Sequence, residues 1–278
     1  MKEIEKNRRG SLVVLMLLLA VQLVHAQISA EMVCSEYQTA HQVGERLEYK
    51  AYYHWGAIWI GMGRAEIQLQ ETELNGKQVL HAVGIGKTLP RYNWIFKVND
   101  RYESYFLDEP MRPLRFVRNV KEGGYSKELQ YSFDQDNQSF EVDYWFTQGK
   151  EQNVGVLPGL KPCTQDIISA FYQLRSLNSI DWFMGDTIPL NLVIDAEIYE
   201  VGLVYHGKEE IKTEFGKREC LKIEPILLAG DLFTEGDKML VWVSNDANKL
   251  PLVVKSDLAV GEITMYLEVA QGTIESLH

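Results

Sequence analysis

Apolar and polar residues alternate along most of the sequence after Gly44. Between positions 47 and 55, the odd positions are apolar or aromatic, whereas the even positions include Glu48, Lys50 and His54. A β-strand places successive side chains on opposite faces, so this alternation indicates a strand with one buried face. The same pattern recurs at 65–69, 129–133, 140–146, 188–194 and 263–269. The sequence therefore predicts a mainly β fold.

Short segments with turn composition separate the predicted strands. They are Asn75-Gly76, Gly123-Gly124 and the segments 134–137, 206–208 and 245–248. Turns this short join antiparallel strands, because a parallel crossover needs about a dozen residues or more. Large twisted sheets also tend to curl or close. We therefore expect a single domain at 44–278 containing a curved antiparallel sheet or a barrel, and the pattern leaves both forms open.

One segment, at about 164–178, has a helical pattern instead. Ile167, Phe171 and Leu174 are spaced to form one apolar stripe. Thr164 is the predicted N-cap, and Asp166 favours the helix dipole at the same end. We expect this amphipathic helix to pack on or inside the sheet. The segment 89–96 is a predicted second, shorter helical turn.

The N-terminus has the features of a secretory signal peptide. Basic residues between positions 2 and 9 precede an apolar run at 12–24, and Ala26 supplies a small residue for cleavage. The run is shorter than the roughly 20 apolar residues of a membrane span, and no later segment approaches that length. The sequence predicts a signal peptide at 1–26, an N-terminal lead at 27–43 and export to the periplasm or outer envelope.

The net charge limits the partners of the exported chain. Removing the first 26 residues takes away four cationic and two anionic side chains, so the formal net charge changes from −11 to −13. An acidic chain is a poor electrostatic partner for nucleic acid or for an anionic membrane face. We therefore expect no nucleic acid partner.

Three cysteines remain after the predicted cleavage. Cys220 lies between apolar residues of a predicted strand, as a small core residue does. Export permits disulfides, so we expect Cys34 and Cys163 to form one that clamps the N-terminal lead. No C-x-x-C pair supports a redox role.

Motifs for catalysis, metals and cofactors are incomplete. The segment 84–88 ends like a phosphate-binding loop, but His81 stands where the first glycine should be. Gly61 and Gly63 fit a β-bulge better than a dinucleotide site. The histidines have no zinc spacing, and G-x-S-x-G is absent. The sequence thus favours a protein without enzymatic activity, metal or cofactor.

Aromatic residues are the main candidates for a binding site, because their rings can line a hollow for an apolar ligand. Core packing is the alternative role for the same side chains. The candidates are Tyr49, Tyr53, Trp55, Trp59, Trp94, Tyr102 and Trp242, together with Phe96, Tyr105 and Trp145.

Acidic residues support a second hypothesis, a hydrolase that acts on envelope glycan or ester. Such an enzyme needs two carboxyl groups at a defined separation, which the fold would have to provide. The first candidates are Asp100, Glu103, Asp195 and Glu197. A third hypothesis is a structural component of an envelope assembly, for which a filled interior is expected.

The order of several segments resembles the exported bacterial family DUF3108. One is the helix motif D-x-x-S-x-x-Y-x-x-R, which matches Asp166, Ser169, Tyr172 and Arg175. The others are 44–49, 61–65, 100–104, 113–116, 122–124, 133–134, 205–207 and 250–251. The resemblance covers about 44–269 and implies export and a mostly β domain. It carries no catalytic residues over to this chain.

The cysteines at 34 and 163 resemble a pattern in Bacteroides-type members of that family, in agreement with the expected disulfide. Taken together, the observations favour an exported envelope protein that binds an apolar ligand, such as a lipid or acyl group, or a partner protein of the envelope.

Overall fold

The computed structural model describes Val33 and residues 38–146, 151–178, 182–229 and 238–277. The predicted signal peptide and Cys34 lie outside these residues. The strands are β1 Arg46–Trp55, β2 Ile58–Leu74, β3 Lys77–Thr88, β4 Asn99–Leu107, β5 Arg112–Glu122, β6 Tyr125–Asp134, β7 Ser139–Phe146, β8 Glu151–Pro158, β9 Thr187–Ile194, β10 Glu197–Thr213, β11 Gly216–Ala229, β12 Met239–Ser244, β13 Pro251–Asp257 and β14 Glu262–Gln271. The helix α1 is Ile167–Arg175, and a short 3-10 turn is Pro90–Tyr92.

All 14 strands belong to one antiparallel sheet. The order across the sheet is β8-β7-β6-β5-β4-β3-β2-β1-β14-β13-β12-β11-β10-β9. Each half is a meander of sequential neighbours, and the pair β1·β14 joins the halves, with Arg46 opposite Gln271. Asn75 and Gly76 both have positive φ, at 52° and 77°, as the tight hairpin turn between β2 and β3 requires. The prediction of a mainly β, antiparallel fold is confirmed.

The sheet is curved but is not closed by hydrogen bonds between strands. Its edges are β8 and β9, which are not paired with each other in the described residues. The turn between β9 and β10 packs instead against β5 and β6: the Ala196 amide donates to Tyr131 Oη at 2.8 Å. Asp195 also pairs with Arg118 at 2.9 Å and with Lys127 at 2.6 Å. Contacts of side chains therefore join the two halves of the curved sheet where strand pairing does not. The fold is an open curved sheet, not a closed barrel.

The helix α1 begins later and ends earlier than the sequence indicated. Asp166, not Thr164, is its N-cap: a carboxylate oxygen accepts from the amides of Ile168 and Ser169 at 2.8 and 2.9 Å. The predicted cap at Thr164 is wrong because the segment before Asp166 is extended, with Gln165 bridging to Leu192 of β9. The helix therefore begins three residues later than the predicted range of about 164–178.

Asp166 is fully buried, and its burial has a consequence for stability. Desolvation raises the pKa of its carboxyl to about 6, despite hydrogen bonds from Ser104 and from the helix amides. The folded protein therefore binds this proton more tightly than the unfolded chain. The bound proton stabilises the folded protein at low pH. This stabilisation, on the order of 3 kcal/mol, is lost as pH rises from about 4 through about 6.

We expect Asp166→Asn to remove this pH dependence, because asparagine caps a helix about as well but carries no charge. Urea denaturation from pH 4 to pH 7 checks this: the variant should gain stability relative to the natural chain as pH rises. Asp134→Asn is the control, since Asp134 is the exposed last residue of β6 and hydrogen bonds from Asn137 lower its pKa. Parallel pH profiles for the Asp166 variant and the natural chain would contradict the assignment.

A buried ion pair anchors the C-terminal end of α1. Arg175 and Glu45 are each 1% exposed, and the guanidinium makes two 2.6 Å hydrogen bonds to the Glu45 carboxylate. Arg175 also donates to the carbonyl oxygens of Ala40 and Asn248. One side chain thus ties the helix to the residues before β1 and to the turn after β12.

Glycine positions explain two irregularities of the sheet. The predicted bulge at Gly61 and Gly63 is confirmed, because the register of β1 with β2 shifts there. The predicted turn at 206–208 is wrong: these residues lie within β10, where the register with β11 shifts between Tyr205 and Lys208. Gly207 adopts φ of 92°, and a β-bulge replaces the expected turn.

The cysteines differ in their surroundings. Cys220 is a buried free thiol in the sheet, as its sequence context indicated, and burial raises the pKa of the thiol to about 12. Cys163 is not a free thiol. Because Cys34 lies outside the described residues, the Cys34–Cys163 pairing stays a prediction.

Candidate ligand-binding cavity

A cavity of about 580 Å³ lies between α1 and the concave face of the sheet. This volume falls within the range of roughly 300–1,000 Å³ that small-molecule sites occupy. Its walls come from β1–β4, β9–β14 and α1, and they are almost entirely apolar. Representative wall residues are Ile67, Leu190, Leu192, Leu203, Ile223, Val241, Val243 and Met265.

The strand pattern builds these walls directly. Leu190, Leu192 and Ile194 of β9 line the cavity at every second position. Val241 and Val243 do the same in β12 and remain only half-buried. Since alternate residues of a strand face the same side, a run of aliphatic residues at this period lines one continuous surface. The incomplete burial of Val241 and Val243 reflects the hollow in front of them.

The helix presents its apolar stripe to the same hollow. Ile168, Phe171 and Leu174 line the cavity and are half-buried, whereas Ser169 and Gln173 on the other side are buried and do not line it. An amphipathic helix usually buries its apolar stripe most deeply. In α1 the polar side is held in the wall, and the apolar stripe is left with surface that a ligand can cover.

Two glycines of β3 set the shape of the cavity floor. A Cβ atom at Gly84 would lie 3.1 Å from Ile168 Cδ1, so the missing side chain lets α1 approach the sheet. A Cβ atom at Gly86 would meet nothing within 4 Å. The space above Gly86 therefore belongs to the cavity.

Few polar groups reach this surface. Lys249 lines the cavity, its ammonium donates to the Leu177 carbonyl, and burial lowers its pKa. Tyr49 also contributes to the wall, and burial raises the pKa of its hydroxyl. Among the described residues, no group of three or more His, Cys, Asp or Glu side chains is placed to hold a metal ion. The arrangement can exclude water and bind apolar surface.

The predicted aromatic candidates are divided between the cavity and the outer surface. Tyr49 and Tyr102 line the cavity. Trp55 is the last residue of β1, Trp59 is the second residue of β2, and Trp94 lies in the connection between β3 and β4. At this end of the sheet they are 55%, 49% and 82% exposed. Their position in or beside turns, rather than in the middle of strands, directs them to the surface.

The remaining aromatic candidates have other partners. The Tyr53 hydroxyl donates to the Val260 carbonyl, and the Trp242 indole donates to Glu209. Tyr105 stacks on His81, and Phe96 is half exposed. The Trp145 side chain lies outside the described part of the chain.

The sequence interpretation missed the aliphatic residues that form most of the wall. Their signal is present in the sequence, since β9, β10, β11 and β12 each carry aliphatic residues at every second position. From the sequence, that alternation is interpreted as strands with one buried face and not as a cavity wall. A core side chain and a cavity-lining side chain have the same periodicity, so only the tertiary structure separates them.

The four candidate acids of the hydrolase hypothesis have structural partners. Glu103 binds His81 and Arg101: burial opposes its ionisation, but these hydrogen bonds outweigh burial and lower its pKa. Burial also opposes the ionisation of Asp195, but its interactions with Lys127 and Arg118 outweigh burial and lower its pKa. A general acid needs a raised pKa, so both shifts have the wrong direction.

The other two candidate acids, Asp100 and Glu197, also have hydrogen-bond donors. Asp100 accepts a hydrogen bond from the Lys121 amide, and Glu197 accepts one from the Tyr199 hydroxyl. Burial, followed by the nearby charge of Asp100, raises the pKa of Glu122. None of these acids belongs to the cavity wall described above.

The fold and cavity define a barrel-like β protein, in which an open antiparallel sheet curls around an apolar hollow beside one helix. The chain belongs to the family described as "Protein of unknown function (DUF3108)", whose sequence model matches residues 48–268. The family resemblance is thereby confirmed, whereas its Bacteroides-type qualifier stays a prediction.

Solved structures with similar folds have very different sequences. A β-barrel-like protein of the family DUF1849 from Brucella abortus superimposes with a TM-score of 0.51 at 10% identity, covering 83% of this chain and 98% of that one. A candidate lipoprotein of Parabacteroides distasonis gives a TM-score of 0.34 at 12% identity, covering 83% and 96% of the two chains. A candidate exported protein with a YmcC-like fold from Bacteroides fragilis gives 0.32 at 8%, covering 85% and 99%. The first of these likenesses supports the fold alone.

No curated protein matches the chain. None of the described helices has the length and hydropathy of a membrane span.

Proposed function

We propose that the protein binds one apolar ligand with a lipid or acyl chain in the cavity beside α1, and that it does so without catalysing a reaction. The observation that carries the proposal is the apolar wall, which encloses about 580 Å³. Each methylene group transferred from water to such a surface contributes about 0.8 kcal/mol. A linear chain that covers the stripe of α1 and the facing strands therefore gains affinity with length.

The location proposed for this activity is the periplasm or outer envelope. The basic and apolar segments within residues 1–26 support export through a signal peptide. The proposed domain is residues 44–278, preceded by the lead at 27–43. A disulfide between Cys34 and Cys163 would hold that lead close to α1.

The cavity favours ligand binding over the two other hypotheses. A purely structural component is expected to have a filled interior, whereas this wall leaves apolar side chains uncovered. A hydrolase would need a carboxyl group with a raised pKa facing its substrate. The four acids proposed for that role are engaged with Arg, Lys, His, Tyr or amide donors instead.

Native mass spectrometry of the mature protein, purified gently from its own envelope, tests the proposal. We expect one lipid or acyl species per chain, released and identified by organic extraction. With the emptied protein, linear fatty acids of increasing length should bind about fourfold more tightly per added methylene until the cavity is full. The measurement for this series is isothermal titration calorimetry.

The series of fatty alcohols with the same lengths is the matched control for the head group. A dependence on length that both series share supports binding of the chain itself. A bare polypeptide mass, together with no binding of any chain length, would exclude the proposed function and favour a protein partner, to be sought by cross-linking.

A further inference from the structure

Several connections of the sheet meet at one end of the molecule. In an antiparallel meander, the β1–β2, β3–β4 and β5–β6 connections fall at the same end. The β13–β14 connection joins them, because His54, near the end of β1, pairs with Glu262 at the start of β14. This end carries large apolar side chains that the cavity does not use.

We call this surface the apolar rim and define it by Trp55, Trp59, Trp94, Ile95, Phe96 and Val260. Each of these side chains is between 49% and 82% exposed, and Trp94 is the most exposed of the six. Single exposed apolar residues are ordinary on protein surfaces, but a contiguous group of them marks an interaction site.

Contacts between the connections make the rim one surface. The Tyr53 hydroxyl of β1 donates to the Val260 carbonyl at 3.0 Å. Arg91 of the β3–β4 connection donates to the Gly61 carbonyl of β2 at 3.3 Å. The Gly123 amide of the β5–β6 turn donates to the Lys97 carbonyl at 2.8 Å. These bonds therefore join the connections that carry the rim residues.

Two segments of the rim differ in charge from the whole chain. Arg91 and Lys97 flank Trp94, Ile95 and Phe96, and the segment 89–98 contains no Asp or Glu. The segment 55–61 contains no charged residue at all. The net charge of −11 disfavours long-range attraction to an anionic membrane, but salt screens charges beyond about 8–10 Å. At short range, Arg91 and Lys97 place positive charge beside Trp94. Glu262, which follows Val260, is paired with Lys255 at 2.6 Å.

We propose that the apolar rim binds the surface of a phospholipid bilayer. Tryptophan is enriched at the interface between hydrocarbon and headgroups, where its amphipathic ring is most stable. Exposed apolar residues that insert a short distance, together with Lys or Arg beside them, are the features of interfacial binding. The rim has both features at 89–98, a segment that contains no carboxylate to repel phosphate headgroups. This inference does not depend on the ligand in the cavity.

Flotation with vesicles of phosphatidylethanolamine and phosphatidylglycerol tests the proposal on the full mature chain. The triple variant Trp94→Ser, Ile95→Ser, Phe96→Ser removes the most exposed part of the rim. We expect its partition coefficient to fall by about tenfold or more, because three apolar side chains no longer insert. Quenching of tryptophan fluorescence by brominated lipids should occur in the natural chain and decrease in the variant.

The double variant Phe183→Ser, Met184→Ser is the matched control. These side chains are 64% and 78% exposed, and they precede β9 at the end of that strand away from the rim. The control should float like the natural chain. The proposal is overturned if the natural chain does not float, if the folded triple variant floats equally well, or if the control loses as much binding as the triple variant.

Discussion

Replacing Gly86 with tryptophan should strongly weaken ligand binding while the protein keeps its fold. The new side chain would occupy space in which a Cβ atom meets nothing within 4 Å, on the cavity side of β3. Tryptophan is favoured in strands, whereas glycine in a strand interior costs about 0.5–1 kcal/mol. If the indole displaces two methylenes of the ligand, the affinity for a long fatty acid should fall about 15-fold or more.

Calorimetric titration of the Gly86→Trp variant with a long fatty acid measures this loss, and circular dichroism verifies the fold. Lys87→Trp is the matched control, because the next residue of β3 faces the opposite side and is exposed. It adds the same side chain outside the cavity and should bind like the natural chain. A folded Gly86 variant with unchanged affinity would show that the ligand binds elsewhere.

The second large effect concerns the anchor of α1. Arg175→Met should destabilise the protein by about 3–5 kcal/mol, because it leaves the Glu45 carboxylate buried without its cation. The carbonyl oxygens of Ala40 and Asn248 would lose their donor as well. Urea denaturation, followed by tryptophan fluorescence, measures the change in the free energy of unfolding.

Two further variants separate a buried charge from a lost contact. The double variant Arg175→Met, Glu45→Met should recover part of the loss, because no unpaired charge remains in the interior. Lys217→Met breaks an exposed pair with Glu210 and should change stability by less than about 1 kcal/mol. If Arg175→Met behaves like Lys217→Met, the buried pair does not anchor the helix.

Local patterns predicted most of the sheet. The alternation at 47–55 and 188–194 corresponds to β1 and β9, and Asn75-Gly76 forms the expected hairpin. These signals depend on neighbouring residues, which is why one sequence was sufficient. The segment 206–208 has turn composition but lies in β10, since Gly207 can adopt the positive φ of a bulge within a strand. Composition alone does not distinguish these two uses of glycine.

The cavity could be anticipated only in part. Tyr49 and Tyr102 were identified among the candidates, but Trp94 was placed with them although it lies at the rim. Aromatic content indicates that large apolar surfaces exist and does not say which side of the sheet they face. The ion pair of Arg175 with Glu45 joins residues far apart in sequence, so no local pattern could reveal it. The same holds for Asp195, whose partners belong to other strands.

The pairing of β1 with β14 also determines the order in which the molecule can be completed. Strands β1–β8 and β9–β14 each form from neighbouring hairpins, which close quickly because their loops are short. The seam between Arg46–Trp55 and Glu262–Gln271 joins strands from opposite ends of the described chain. A chain that is synthesised from its N-terminus therefore presents β1 as an open edge until the last strand is made. For that interval the protein depends on its surroundings to keep another strand from pairing with that edge.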